Sequence, residues 1–282
     1  DKLGRKMSKS LGNSPDPIQL MEQYGTDGVR VGMLLSSPAG NDLMFDEAYC
    51  EQGRNFANKI WNAFRLVKGW DVADIPDTAA QREASRWFAN RFNQAVAEID
   101  DHFSNYRISD ALMASYKLIW DDFCSWYLEL VKPAYQQPIA KGAYETTKGY
   151  FAQLLKLIHP FMPFISEELW HDELFGQRGD RDCCIVATYP QTGEFDDKNL
   201  GEFAIIQQII SEIRNLRNAK QLSPKTPLPL LINNRTAIDY GAYIECIEKM
   251  ANVSAIGFAE QKPAGTTSFL VGKDEFYVDI AE

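Results

Sequence analysis

The sequence has few of the cysteines whose disulfides stabilise small secreted proteins, and it lacks the long apolar runs that cross membranes. Its five cysteines are odd in number and scattered through 282 residues, without a C-x-x-C pair, which predicts free thiols in a reducing compartment and no zinc site. Adjacent Cys183 and Cys184 open an apolar run and are interpreted as alternating strand residues. No apolar stretch reaches the length of a membrane span. We therefore expect a soluble, cytoplasmic protein with one large and one small domain.

An excess of positive charge is also missing, because the formal net charge is -10. An acidic protein repels nucleic acids at long range, since binding to phosphates requires cations. The distribution of charge nevertheless leaves such a partner open, because acidic residues collect at 71–77 and 194–197. Basic residues concentrate in the first ten positions and at four later ones: Arg214, Arg217, Lys220 and Lys225. A basic strip on an acidic body can still bind RNA.

The most informative segment present is Lys6-Met7-Ser8-Lys9-Ser10, which lies between Gly4 and Gly12. Two lysines three positions apart, with small hydroxyl residues beside them, predict a cationic loop suited to a polyphosphate. When a nucleophile attacks the α-phosphate of ATP, negative charge develops on the departing pyrophosphate, and ammonium groups there stabilise the transition state. A solvated Lys/Ser stretch is the alternative that the loop alone leaves open.

The segment Gly4 to Asn13, GRKMSKSLGN, resembles the second ATP signature of the class I aminoacyl-tRNA synthetases. The resemblance continues through segments 15–17, 24–30 and 36–46, and this series is similar to the branched-chain subgroup (Val, Ile, Leu), closest to its valyl members. Segments 123–133 and 157–170 resemble the helical anticodon-binding domain of the same subgroup. The resemblance covers most of the chain and weakens after about Asn234.

The resemblance implies a set of site residues. The ATP-binding residues would be Lys6, Ser8, Lys9 and Ser10, with Lys9 and then Lys6 as the catalytic ones, and Mg²⁺ is expected with ATP. The expected partner is tRNA(Val), contacted by Arg214, Arg217 and Lys220, although an exposed helix face rich in arginine is often only solvated. No residue is assigned to a metal. We expect a monomer.

Parts of the family pattern are absent from this sequence. The earlier ATP signature, His-x-Gly-His, does not occur, because the three histidines stand in other settings: His102, His159 and His171. The amino-acid pocket and the editing domain are missing as well. We therefore expect the C-terminal portion of a longer ligase for valine and tRNA(Val), inactive in isolation. An isoleucyl or leucyl enzyme, or a non-catalytic tRNA-binding module, are the alternatives.

Hydrophobic periodicity predicts a mainly α fold. Asp16 is expected to cap a first helix that starts at Pro17 and stops at Gly25, and Thr26 or Asp27 to cap a second. Apolar residues then recur every three to four positions from Asp46 to about Phe175, which predicts an antiparallel bundle of about five helices. Ser109 is expected to cap the third bundle helix, and Pro160 and Pro163 to kink the chain between the last two.

The final third of the sequence predicts a small α+β domain. We expect a strand at 183–189, an amphipathic helix at about 201–220 with Arg217 turned away from its apolar side, and a helix near 237–251. Further strands are predicted at 228–232, 253–258, 268–271 and 276–280. The domain boundaries are accordingly 1–45 for the loop segment of the catalytic domain, 46–182 for the bundle and 183–282 for the α+β domain.

The tryptophans allow two interpretations. Their rings could stack on unpaired bases, but most lie on or beside the apolar stripes, so core packing is favoured for each. These interpretations concern five of the six tryptophans: Trp61, Trp87, Trp120, Trp126 and Trp170. The histidines are interpreted as partners of free carbonyls rather than as catalytic groups.

Overall fold

The structure is a computed structural model that describes residues 1–280. After an irregular loop, the chain forms α1 (Pro17–Tyr24) and α2 (Thr26–Leu35). Asp16 caps α1 by accepting from the backbone N–H of Ile18, and Gly25 ends that helix with a positive φ of 75°, as the sequence predicted. The prediction that Thr26 or Asp27 caps α2 was wrong. Gly25 occupies the cap position, and no side chain closes it.

The middle of the chain is a helical bundle, which confirms the predicted mainly α class. Its helices are α3 (Glu47–Lys68), α4 (Ala79–Ser104), α5 (Ile108–Lys117), α6 (Leu128–Val131), α7 (Lys141–Ile158) and α8 (Pro163–Trp170). A π-helix, Leu118–Tyr127, joins α5 to α6 without a break, so that five helical rods result. Asp46 caps α3, and Thr78 forms a capping box with Gln81 at the start of α4.

Two details of the bundle differ from the predicted pattern. The cap of α5 is Arg107, which makes no side-chain cap hydrogen bond, so the prediction of Ser109 was wrong. The segments that precede α4 and α7 pair with each other, because β1 (Val72–Ala73) lies parallel to β2 (Ile139–Ala140). This short ladder ties the start of α4 to the start of α7.

The C-terminal third begins with an extended segment, residues 176–189, which we call the strap. It does not contain the strand predicted at 183–189. A 3₁₀ turn, Cys184–Val186, occupies that segment, with Cys184 buried while Ile185 and Val186 are exposed. The apolar run therefore lacks both a partner strand and a buried alternating face. The long helix α9 (Asp197–Ala219) follows, capped by Asp196.

A four-stranded mixed sheet completes the fold, as expected for a small α+β unit. Its strands are β3 (Leu228–Asn233), β4 (Val253–Phe258), β5 (Thr266–Val271) and β6 (Asp274–Asp279). The order is β4-β3-β6-β5, with β3 and β4 parallel and the other pairs antiparallel. A 3₁₀ turn, Tyr240–Tyr243, and α10 (Ile244–Ala251) connect β3 to β4 and replace the single predicted helix.

The sheet and α9 pack directly on the bundle. Trp87 of α4 stacks on Phe203 of α9 with ring centroids 4.3 Å apart. The Lys249 ammonium in α10 donates to the carbonyls of Leu130 and Lys132 at the end of α6. One cluster of buried side chains consequently extends from α2 to β6. Within residues 1–280, no helix combines the length and apolar character that a membrane span needs.

Candidate functional site

The loop that carries the two lysines is shaped by the side chain of Asn13. Its carbonyl oxygen accepts from the backbone N–H of Ser8 at 3.0 Å, and its amide nitrogen donates to the carbonyl of Lys6 at 3.2 Å. The same amide donates to the Asp1 carboxylate, which also accepts from the Arg5 side chain. One asparagine therefore holds both sides of the loop at its base.

The ammonium groups of this loop face solvent. Lys6 and Lys9 are exposed, and among the described residues neither ammonium group forms a hydrogen bond or an ion pair. The hydroxyls of Ser8 and Ser10 lie 3.1 Å apart, and Ser8 also accepts from the backbone N–H of Leu11. The structure thus brings the four predicted ATP-binding residues together as one exposed cationic turn that an anion can approach without breaking an existing ion pair.

Met7 anchors the turn to the helices below it. Its half-buried side chain packs against a small cluster formed by Leu20 of α1, Phe45 before α3, and Cys50 of α3. Close packing continues beneath, because a Cβ at Gly32 of α2 would come within 2.8 Å of the backbone nitrogen of Cys50. The position of the loop therefore depends on the packing of α2 against α3.

Two charged residues of α2 bind the α7–α8 junction. The Asp27 carboxylate accepts from the backbone N–H groups of Phe164 and Ile165, at 3.2 and 2.7 Å. The Arg30 guanidinium donates to the carbonyls of Pro160 and Phe161, at 3.0 and 3.1 Å. Asp27 therefore satisfies free donors in the first turn of α8, and Arg30 satisfies carbonyls at the end of α7. This pair connects the loop segment to the bundle.

The three basic residues predicted to contact tRNA lie in different environments. Arg217 is only 4% exposed, and its guanidinium donates to four backbone carbonyls, those of Ser223, Thr226, Ala251 and Asn252. The prediction that Arg217 faces away from the apolar side was wrong, because the last turn of α9 is covered by the 223–226 loop and by the end of α10. The guanidinium of Arg217 is therefore not available to contact RNA.

Arg214 and Lys220 remain accessible, and their predicted contact with tRNA stays a prediction. Arg214 is exposed along its helix but donates twice to the carbonyl of Met250, and it lies 5.7 Å from the ring centroid of Trp126. Lys220 is exposed and, among the described residues, its ammonium group makes no hydrogen bond or ion pair. Lys225 is also exposed, and the same holds for its ammonium group.

The tryptophans divide as the two interpretations allow. Trp87 and Trp170 are buried, in line with the favoured packing role, and Trp120 and Trp126 are half-buried against the core. Trp61 on α3 is 41% exposed and has the most accessible ring of the five. Tyr106 and Tyr135, which the sequence interpretation did not consider, are more than four-fifths exposed.

Two positioning residues missed by sequence reasoning have remote partners. Asp27 and Arg30 bind segments more than 130 positions away, and no local pattern indicates such a pair. The role of Asn13 was missed for another reason, because its partners are near in sequence but depend on the shape of the loop. As for metals, three potential ligands among the described residues come within 4.8 Å of one another: Glu167, His171 and Cys183.

Comparison with known proteins identifies the class to which this fold and loop belong. The profile of the anticodon-binding domain of tRNA ligase matches residues 85–232, and that of the class I tRNA synthetases (I, L, M and V) matches residues 1–46. A solved ternary complex of LeuRS, tRNA and LeuAMS from Agrobacterium radiobacter K84 shares the fold, with a TM-score of 0.50 and 20% identity over 71% of this chain and 23% of that one.

The chain therefore belongs to the class I tRNA synthetases and includes their anticodon-binding domain. Within that family it matches the C-terminal region of valine–tRNA ligase. It is 53% identical to the enzyme of Parabacteroides distasonis and 52% identical to that of Porphyromonas gingivalis, in each case over 99% of this chain and 32% of the relative. The Fusobacterium nucleatum enzyme is 33% identical over 99% of the chain. The chain thus spans about a third of the length of these relatives.

Proposed function

We propose that this chain acts as part of a valine–tRNA ligase, to which it contributes the cationic ATP loop and the surface that binds tRNA(Val). The enzyme attaches valine to tRNA(Val) at the expense of ATP. Support comes from the family membership together with the loop geometry. The observation that carries the proposal is the pair of exposed ammonium groups, Lys6 and Lys9, on a turn braced by Asn13.

The chemistry explains why this arrangement suits ATP. The valine carboxylate attacks the α-phosphorus of ATP, a new oxygen–phosphorus bond forms, and the bond to the bridging oxygen breaks, so pyrophosphate leaves with the electron pair. The Lys9 ammonium, assisted by Lys6, would stabilise the charge that grows on pyrophosphate. Ser8 and Ser10 would donate hydroxyl hydrogens to phosphate oxygens. Mg²⁺ would accompany ATP as a further positive charge on the phosphates.

The tRNA-binding part of the proposal concerns the bundle and the end of α9. Sequence-specific binding of RNA targets unpaired loop bases, because the deep groove of an A-form helix is closed to side chains. Exposed cations at Lys220 and Lys225 offer contacts to phosphates, and the accessible ring of Trp61 offers a surface for stacking. The acidic remainder of the surface would limit binding to this strip. We further propose a cytoplasmic monomer.

The decisive experiment measures valine-dependent ATP–pyrophosphate exchange by the full-length enzyme that contains this region and by the chain alone. We expect exchange with valine, and not with isoleucine or leucine, by the former. The chain alone should give none, because half of a split phosphate site leaves adenine and ribose without contacts. If the full-length protein bound tRNA but catalysed no exchange with any amino acid, the chain would instead belong to a non-catalytic tRNA-binding module.

A further inference from the structure

Two of the three histidines of the chain converge on one carboxylate at the α7–α8 junction. Glu167 of α8 has its Oε1 atom 3.0 Å from Nε2 of His171 and its Oε2 atom 3.9 Å from Nε2 of His159. The Cys183 sulfur completes a group with Glu167 and His171 in which all three ligand atoms lie within 4.8 Å of one another. Glu167 therefore lies beside both imidazoles, and three of these four side chains, from two separate segments, form one group of potential metal ligands.

The first part of the strap holds Cys183 in this place. Residues 176–182 fold back on the end of α8, where the indole N–H of Trp170 donates to the carbonyl of Asp182 at 2.8 Å. The Arg178 guanidinium lies 3.6 Å from the centroid of the same indole ring and donates to the Trp170 carbonyl. Because Cys183 directly follows Asp182, these contacts hold its backbone near the end of α8, and its sulfur lies 3.4 Å from the carbonyl oxygen of Asp180.

The carboxylate is also fixed by its surroundings. The backbone N–H of Cys184 donates to Oε1 of Glu167 at 2.7 Å, which orients the group toward the strap. Ligands of metal sites are commonly held in this way by hydrogen bonds from outside the coordination shell.

The tautomer of His159 follows from its partners. The Ser166 hydroxyl lies 2.7 Å from the carbonyl of Met162, and a carbonyl can only accept, so the hydroxyl donates there. Nδ1 of His159, 2.7 Å from the same hydroxyl oxygen, must then be the donor to Ser166. In the neutral ring, Nε2 consequently presents a lone pair toward Glu167.

We propose that Glu167, His171 and Cys183 form a binding site for Zn²⁺. One thiolate, one imidazole and one carboxylate are donors that this borderline-soft ion accepts, and a tetrahedral ion at the usual bond lengths needs ligand atoms about 3.5 Å apart. Glu167 and His171 are 3.0 Å apart and the Cys183 sulfur lies within 4.8 Å of both, so the three side chains would have to adjust around the ion. The metal would replace the proton that Glu167 and His171 now share.

Two of the proposed ligands, Glu167 and His171, line an open cavity. The other lining residues are His159, Pro163, Phe164, Glu168 and Ile185. This cavity would admit a water molecule as a fourth ligand. A zinc ion here would clamp the strap to α8, next to the segment that Asp27 and Arg30 bind. This site is independent of the proposed ligase function.

The test uses the 282-residue chain and two probes, Co²⁺ as a spectroscopic substitute and Zn²⁺ in competition with a chromophoric chelator. We expect one tightly bound ion, a thiolate-to-cobalt charge-transfer absorption and intense visible bands of tetrahedral Co²⁺. Cys183→Ser should abolish the charge-transfer absorption, and His171→Gln and Glu167→Gln should each weaken Zn²⁺ binding by at least about tenfold. His102→Gln, at the remaining histidine, should leave both signals unchanged.

The opposite results are equally clear. A chain that shows no charge-transfer absorption with Co²⁺, or that binds Zn²⁺ equally well with Cys183→Ser and with His102→Gln, has no metal site here, and the Glu167–His171 contact is an ordinary hydrogen bond within one helix. A thermal melt with and without Zn²⁺ keeps the proposal testable if a variant folds poorly. Zn²⁺ should raise the melting temperature of the parent chain and of His102→Gln, and should leave that of Cys183→Ser unchanged.

Discussion

The carboxylate of Asp27 in α2 accepts a hydrogen bond from the backbone N–H of Ile165 in α8 at 2.7 Å. The two residues are separated by 138 positions, and the bond joins the segment that carries the lysine loop to the helical bundle. Asp27 is only 7% exposed. Burial raises the pKa of Asp27, while hydrogen bonds from Ile165 and Phe164 and the charge of Arg30 oppose that rise. The orientation of the loop segment therefore depends on a polar contact inside the protein.

Asp27→Asn is expected to lower the free energy of unfolding of the chain by about 1–3 kcal/mol, because one buried backbone N–H loses its acceptor. The asparagine can still accept from Ile165 but turns an amide N–H₂ toward Phe164. Denaturant unfolding followed by circular dichroism measures the loss. Asp110→Asn, on the exposed surface of α5, should change stability by less than about 0.5 kcal/mol. Equal effects of the two substitutions would show that the contact adds nothing to stability.

Lys9→Ala in the full-length enzyme should reduce the rate of valyl-adenylate formation by about 100- to 1,000-fold, with a smaller change in ATP affinity. The reason is that its ammonium acts on charge that develops only as pyrophosphate departs. Pre-steady-state adenylate formation at varied ATP concentration separates the two quantities. Lys2→Ala removes the same charge from the same segment outside the signature and serves as the control. Parallel losses in rate and in affinity would assign Lys9 to ground-state binding instead.

Sequence patterns predicted the regular elements well, because periodicity follows from which face of an element is buried. The strand predicted at 253–258 is β4, Val253–Phe258, and that at 228–232 ends one residue early. At 183–189 the prediction failed, since an apolar run does not reveal whether a partner strand exists. The loop residues Lys6 to Ser10 could be assigned because a contiguous signature carries them, whereas the bracing role of Asn13 and the contact of Asp27 with α8 depend on the folded structure.

Arg217 shows that a charged side chain can continue an apolar stripe. It follows Ile213 by four positions and Ile210 by seven, so the helical period places it on the buried side of α9, and the prediction of exposure followed its charge rather than its position. The chain then returns over this turn, and four carbonyls at the ends of loops and helices point at the guanidinium. Such carbonyls are typical of irregular segments, and the planar fork of arginine can bind several at once.

Arg217→Lys should therefore destabilise the chain by about 1–3 kcal/mol, since an ammonium group cannot replace all of these buried bonds. The net charge is unchanged, so any effect on RNA binding would follow from folding and not from electrostatics. Denaturant unfolding measures the loss, with Arg65→Lys on the exposed face of α3 as the matched control. If both variants had the same denaturant midpoint of unfolding as the parent chain, the four carbonyls would have to find hydrogen-bond donors other than the guanidinium.

The stability of the sheet should depend on the ionisation of Asp274, the first residue of β6. Burial alone would raise its pKa, but hydrogen bonds from Thr236, Tyr240 and the backbone N–H of Arg235 and Thr236 hold that pKa below its ordinary value. A depressed pKa contributes stability that is complete above the unfolded value, about 4, and is lost as the pH falls toward the folded one.

Asp274→Asn should accordingly destabilise the chain at pH 7 by about 1–3 kcal/mol and flatten the loss of stability that sets in below about pH 4. Urea unfolding at a series of pH values gives both quantities. Asp197→Asn, in the exposed first turn of α9, should leave the loss of unfolding free energy at acid pH as steep as it is in the parent chain. A parent and an Asp274→Asn variant with parallel pH profiles would exclude Asp274 as a source of the acid sensitivity.

Binding of tRNA should be sensitive to salt and should depend on the exposed lysines beyond α9. Each phosphate contact that is lost lowers the slope of log affinity against log salt by about one for a duplex and by about 0.7 for a single strand. The double variant Lys220→Glu/Lys225→Glu should therefore weaken binding of the full-length enzyme to all tRNAs alike and reduce that slope. A changed valine anticodon should weaken binding of tRNA(Val) alone.

Lys273→Glu, in the exposed turn between β5 and β6, applies a charge reversal elsewhere and should change neither the affinity nor the salt dependence. If the double variant and Lys273→Glu gave the same salt titration as the parent, the end of α9 would not be part of the tRNA-binding surface, and the contact would have to lie on the bundle around Trp61.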